Sequence, residues 1–333
     1  MSKRYDVCAI GNAIVDYEIE VTDDFFKENG IKKGLMTLVD EERQQTVLKA
    51  AKEKIRKKQG GGSAANTIVG MSNLGGKGFY ICKVANDADG AFYIDELNEA
   101  GVDTNLDPDN LLRGITGKCL VMITSDAERT MNTYLGVTAD LSVNELVPEA
   151  IKNSNYVYLE GALVSSETGY QTILEAKKIA QESGVKTSLT FWDPAMVKYF
   201  KDQMKGIVGD GIDLLFCNIE EAKLYTGVFG LEDIKAALKR VAKEFVVTLG
   251  EEGSLVYDGS KFIDVAPFRT KAIDTTGAGD MFAGAFLYGI NNGLGHTEAG
   301  KLASAASSAI VSKYGSRFER GEAKEILRKI KSS

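Results

Sequence analysis

A chain of 333 residues with 44% apolar and 26% charged side chains has ordinary globular proportions, which exclude a disordered or fibrous class. That length suits one large α/β core with a lesser appendage. Forty basic against 47 acidic residues give a net charge of −7, so a nucleic-acid surface is excluded as the protein's main business and any phosphate must be held by local devices.

In chain order, Val7-Cys8-Ala9-Ile10 reads as a short buried strand, and residues 14–21 alternate as a half-exposed one. Residues 25–29 read as helical and 30–39 as extended. A longer helix is expected over 41–58, its mixed charges forming a solvated face, ending at Gly60-Gly61-Gly62. Helices over 66–74 and 92–100 flank a strand at 79–84. Strands at 118–124 and 130–135 are separated by the turn Ser125-Asp126-Ala127-Glu128. Strands at 156–159, 186–191, 214–217, 245–249 and 254–257 then alternate with helices. This alternation predicts a mostly parallel sheet with helices on both faces and ligands at the carboxyl ends of its strands. The strand-rich patches at about 12–40 and 110–136 are expected to join as one small sheet.

Several chemistries are excluded. The one histidine, His296, reads as a loop residue before a helix with no chemical role, so triad hydrolases and multi-histidine metal sites do not fit. Cys8, Cys82, Cys119 and Cys217 are widely spaced without a CxxC pair and read as reduced core residues. No GxxxxGK[ST] string exists. Gly60-Gly61-Gly62-Ser63-Ala64-Ala65 satisfies a dinucleotide-type spacing, but the sequence ahead of it is not read as a strand. The first residues lack the apolar stretch of a signal peptide, and no apolar run approaches the roughly 20 residues of a membrane helix. A cytoplasmic protein with no nucleic-acid or membrane partner, monomeric or homodimeric, is expected.

The chemistry concentrates in Asp274-Thr275-Thr276-Gly277-Ala278-Gly279-Asp280, followed at once by a helix of small and apolar residues, Met281 to Leu287. Glycines ahead of a helix let successive backbone N–H groups converge, and the helix dipole adds positive potential there. Asp280, in the first turn, would sit beside a phosphate so held and could take a proton from an attacking hydroxyl. This string resembles the second signature of the ribokinase-like (PfkB-type) kinases. There the last Asp is catalytic and the preceding Gly-Ala-Gly, here Gly277, Ala278 and Gly279, forms the anion hole.

Further resemblances run along the chain. Gly61-Gly62-Ser63-Ala64-Ala65-Asn66 is similar to the family's first signature, which implies that Gly61, Gly62 and Asn66 contact the acceptor; Ile68 and Ala85 stand where a small residue and a glycine are usual. Gly11-Asn12-Ala13-Ile14-Val15-Asp16 resembles the opening strand, implying Asn12 and Asp16 at the acceptor. A carboxylate suits neighbouring hydroxyls because its two oxygens accept two donors. Asn218 to Glu221 matches the NxxE element, implying that Asn218 faces the nucleotide and Glu221 holds magnesium through water. Thr248, Gly250 and Gly253 resemble a nucleotide-contacting turn, and Arg129 a lid arginine that steadies the transferring group. Asp274 and Thr276 resemble residues that hold a monovalent cation, potassium being the candidate.

The resemblance implies a single kinase domain over 1–333, a three-layer α/β/α core with a β-sheet lid from about 12–40 and 110–136. It further implies ATP and Mg2+ as co-substrate and cofactor, and phosphorylation of a primary hydroxyl. The long opening segment favours an adenosine-like nucleoside as acceptor, with ribose, fructose or a related sugar as the alternative. A non-catalytic sugar- or nucleoside-binding protein on the same fold and an oxidoreductase stay as rival classes.

Overall fold

The computed structural model of the protein describes residues 3–126, 128–319 and 321–331. Its strands, in chain order, are β1 Tyr5–Ile10, β2 Ile14–Glu20, β3 Met36–Leu38, β4 Ile55–Gly61, β5 Gly78–Ile81, β6 Asp103–Thr104 and β7 Gly117–Ile123. They continue with β8 Arg129–Tyr134, β9 Ser154–Glu160, β10 Lys186–Thr190, β11 Ile212–Asn218, β12 Ala242–Thr248, β13 Ser254–Tyr257 and β14 Phe262–Val265.

In β1 the pleat sends Val7 and Ala9 into one buried cluster and Cys8 and Ile10 into another. A strand apolar on both faces needs a layer on each, as parallel sheets do. The large sheet runs β14-β13-β12-β11-β10-β9-β1-β5-β6. Its pairs are parallel except β12 with β13 and β13 with β14. Helices Ser63–Asn73, Ala278–Asn291 and His296–Val311 close one face, and Glu167–Glu182 helps close the other. The result is the expected three-layer α/β/α core. All four cysteines are buried and unpaired, and no helix of the described residues is long and apolar enough to cross a membrane.

A separate five-stranded sheet runs β3-β8-β7-β2-β4. Ile19, Leu120 and Met122 pack on Phe25, Phe26, Val47 and Ala51, so helices Asp23–Glu28 and Glu41–Ala51 back this sheet. The chain enters it directly from β1, three residues before β2.

The helix expected over 41–58 is corrected: it ends at Ala51, and Ile55–Gly61 forms β4, antiparallel to β2. Arg56, Lys57 and Lys58 lie on the edge of the small sheet, where charged side chains are tolerated and discourage further pairing. Pairing with β2, remote in sequence, overrides the local helical signal. The GxGxx string thus does follow a strand. That strand belongs to the small antiparallel edge, not to a parallel βαβ unit, so the dinucleotide geometry is still lacking. Residues 30–39 are extended only at Met36–Leu38. His296 opens a helix instead of lying in the loop before it. In the turn expected over 125–128, Ala127 lies outside the described residues.

Candidate active site

The sheet order sets the carboxyl ends of β1 and β9 side by side, and those of β11 and β12 likewise. Helix Ala278–Asn291 begins at Gly277, whose φ of +76° suits glycine and where a Cβ would lie 2.5 Å from that of Ser316. The backbone N–H groups of Gly277, Gly279 and Asp280 donate to no protein acceptor among the described residues. A side chain on Gly279 would meet no atom within 4 Å. Unspent N–H groups at the positive end of a helix are the donors by which a backbone can hold an anion.

Asp280 stands in that first turn. Its carboxylate accepts Ser63 Oγ at 2.6 Å and Asn66 Nδ2 at 3.1 Å. Burial pushes it up to about 6, against the pull of those two hydrogen bonds and of Arg317. A carboxylate tuned toward neutrality is better matched to take a proton than one at its ordinary value.

The other wall comes from the start of helix Ser63–Asn73. Gly62 has φ +99°, and a Cβ there would lie 2.1 Å from the Asn12 carbonyl oxygen; one on Gly61 would lie 2.3 Å from Asp16 Oδ2. The glycines therefore let the Asp16 carboxylate and the Asn12 backbone press against the chain entering this helix. Asp16 is half-buried and accepts no side-chain hydrogen bond among the described residues. Burial pushes it up to about 7, with Arg317 opposing. Asn12 is placed differently: its Nδ2 donates to Glu160 Oε1 at 3.0 Å and its Oδ1 accepts Thr138 Oγ1 at 3.3 Å. Glu160, at the end of β9, also accepts the Ala64 N–H at 2.8 Å and is pushed by burial up to about 7. The Asn12 amide thus ties the chain just past β1 to the end of β9.

On the β11 and β12 side, Asn218 and Glu221 form a reciprocal cap: Asn218 Oδ1 accepts the Glu221 N–H at 2.9 Å, and Glu221 accepts Asn218 N and Nδ2 at 2.9 and 2.8 Å. Burial pushes Glu221 up to about 7, and Asp193 and Asp280 add to it. Thr248 ends β12, and Gly250 and Gly253 turn the chain at φ +64° and +98°. A cavity of about 250 Å³ opens between the loop carrying Phe268 and Thr270 and the helix carrying Ala305, Ser308 and Ser312. No group of three or more His, Cys, Asp or Glu side chains among the described residues could hold a metal ion by itself.

Arg129, the first residue of β8, crosses from the small sheet to the anion-site loop. Its Nη1 donates to Thr276 Oγ1 at 2.5 Å and its Nη2 to Asp274 Oδ2. Buried Asp274 also accepts the N–H groups of Thr276 and Gly315. Arg129, Asp274 and Thr276 therefore stand together at one joint.

The sequence reading missed Ser63, Glu160 and Arg317. Ser63 opens a helix without capping it and spends its hydroxyl on Asp280. Glu160 carries no sequence signal, since a lone acid at a strand end is ordinary. Arg317 follows Gly315-Ser316, and its bonds to Asn66 and Glu96 span 251 and 221 residues. Trp192 is a further surprise: two residues past β10 it holds φ +74°, alone among the described non-glycine residues.

What this arrangement is fit to do is accept a proton from a hydroxyl next to a bound phosphoryl group, the work of a small-molecule kinase acting on an alcohol. Residues 35–321 match the pfkB family of carbohydrate kinases, and the chain belongs to that family. It is 30% identical over 291 residues to a 5-dehydro-2-deoxygluconokinase of Clostridium botulinum, covering 83% of this chain and 85% of the relative. Among solved structures it is similar to a probable sugar kinase of Rhizobium etli, with TM-score 0.89, 30% identity and 98% of each chain covered. It is also similar to the adenosine kinase of Sinorhizobium meliloti, with TM-score 0.87, 32% identity and 98% and 99% covered.

Proposed function

We propose that the protein transfers the γ-phosphoryl group of ATP to a primary hydroxyl of a sugar-like acceptor that presents neighbouring hydroxyls. The observation that carries this reading is Asp280, tuned toward neutrality by burial and set in the first turn of a helix whose leading N–H groups are unspent. Asp280 takes the acceptor's proton as the hydroxyl attacks. The N–H groups of Gly277, Gly279 and Asp280 stabilise charge on the moving phosphoryl group. Asp16 grips two acceptor hydroxyls, and the small sheet serves as a lid that excludes water.

The nucleotide is assigned to the turn at Thr248, Gly250 and Gly253, with its base toward the cavity beside Ser308. Glu221, with Asn218, fits magnesium held through water, because one acid without a companion cluster cannot strip that ion of its shell. Magnesium there would neutralise charge on the phosphates. Asp274 and Thr276 are assigned a monovalent cation and Arg129 the transferring group.

The nucleoside acceptor favoured by the long opening segment yields to a carbohydrate, in line with family membership and the gluconokinase relatives. A nucleoside acceptor stays as the second reading because of the 32% identity to an adenosine kinase. A panel of sugars, sugar acids and nucleosides, assayed for ATP-dependent phosphorylation, tests the assignment; a nucleoside as sole acceptor would reverse it. Asp280→Asn is expected to lower kcat by about 100-fold or more and to abolish the fall in rate below about pH 6. Near-normal turnover would remove Asp280 as the base.

A further inference from the structure

Arg317 sits at a buried junction to which nothing above gives a part in the chemistry. It is 6% exposed. Its Nε donates to Asn66 Oδ1 at 3.2 Å and its Nη1 to Glu96 Oε2 at 3.0 Å. The same Glu96 oxygen accepts the backbone N–H of Gly60 in β4. A Cβ on Gly60 would lie 2.6 Å from that oxygen and 2.9 Å from Arg317 Nη1, so the small sheet closes on the junction without room to spare. Arg317 Nη2 is buried and donates to nothing among the described residues. Burying a guanidinium with one nitrogen unspent is costly, so packing is a poor reason for an arginine here.

The two hydrogen bonds of Asn66 supply a better one. Its Nδ2 donates to Asp280 Oδ2 while its Oδ1 accepts Arg317 Nε. Turning the amide over would set NH2 against a guanidinium N–H and oxygen against a carboxylate, so Arg317 selects a single orientation. We propose that Arg317 is a positioning residue for phosphoryl transfer: it locks the Asn66 amide onto Asp280 and, through Glu96, ties that pair to the Gly60 backbone of the small sheet. The inference rests on Asp280 acting as the base. Facing Asp280 from the neighbouring elements are Asp16 on β2, Tyr158 and Glu160 on β9, Glu221 after β11, and Arg317. Arg317 opposes the acids in that set and favours an ionised Asp280.

Arg317→Lys keeps the charge and loses the fork, whereas Arg317→Met loses both. Steady-state kinetics of the whole enzyme over about pH 5 to 9 separate the two roles. Both variants are expected to lower kcat by about tenfold to a hundredfold with little change in KM for the nucleotide. The acid limb should move to higher pH in the Met variant and stay in place in the Lys variant. In an Asn66→Ala background, Arg317→Lys should cost no further kcat, because the group it positions is gone. Unchanged kcat per folded molecule, or fully additive losses in the double variant, would overturn the proposal. Circular dichroism measures the folded fraction; if Arg317→Met does not fold, the Lys variant and the double variant decide. Asp280→Asn keeps the two readings apart. Normal turnover in that variant sinks the base assignment, while an inactive Asp280→Asn beside a normal Arg317→Lys sinks the positioning inference alone.

Discussion

Asp16 is a half-buried carboxylate pressed against Gly61 and given no protein donor among the described side chains. A half-buried acid left so has lost part of its hydration, and a ligand's hydroxyls would supply the missing donors. Asp16→Ala should therefore collapse acceptor use, each charge-assisted hydrogen bond to a hydroxyl being worth about 1.5 to 3 kcal/mol. Apparent affinity for ATP should barely move, and matched titrations of acceptor and nucleotide check both halves. Trp192 tests strain at the same scale. Its φ of +74° is imposed from outside: its N–H meets Thr190 Oγ1 at 3.2 Å, and Asp193 is drawn out ahead of Pro194 to cap the next helix. Trp192→Gly and Trp192→Ala delete the same indole but differ in tolerance of positive φ. The Gly variant should be the more stable by about 1 kcal/mol, the reverse of the usual order, in urea unfolding.

Between elements, the joint that matters is Arg129 of β8 on Asp274 and Thr276 of the anion-site loop. An arginine so engaged cannot also reach a phosphoryl group. For it to do so the pair must part, leaving the Asp274 carboxylate and Thr276 hydroxyl to a compact cation. Turnover should accordingly be faster in potassium than in a bulky organic cation at equal ionic strength. Equal rates would mean that the loop needs no cation beyond the guanidinium. β4 teaches a different lesson at this scale. Its run of Lys and Arg read as a solvated helix face, because charge at short spacing fits a helix surface and a sheet edge equally well. Only its partner β2, about forty residues earlier, decides between them.

Over the whole molecule, burial pushes Asp16, Glu160 and Glu221 up to about 7 and Asp280 up to about 6. Carboxyls of the unfolded chain titrate near 4. Between about pH 4 and 7 the folded protein therefore binds more protons than the unfolded one, and stability falls as pH rises through that window. The ligand-free enzyme should melt at a higher temperature near about pH 5.5 than near about pH 7.5, with Asp16→Asn flattening the slope. A melting temperature that rises over the same interval would contradict the buried-acid account.

The sequence by itself determined the parallel core and the turn and helix start at Gly277 to Asp280, because both are local. A run such as Val7 to Ile10 must be buried on two faces wherever it goes, and Gly277 to Asp280 carry their turn, their helix start and their carboxylate within four residues. Tertiary structure alone decided which groups surround that carboxylate. Ser63 and Asn66 lie 217 and 214 residues from Asp280, and Arg317 lies 251 from Asn66. It also gave the Asn12 amide to the buried Glu160 at the neighbouring strand end. Hydrogen-bond partners at such separations are set by which strands neighbour one another in the sheet and which helices pack side by side on its face, and no short spacing in the chain records that order.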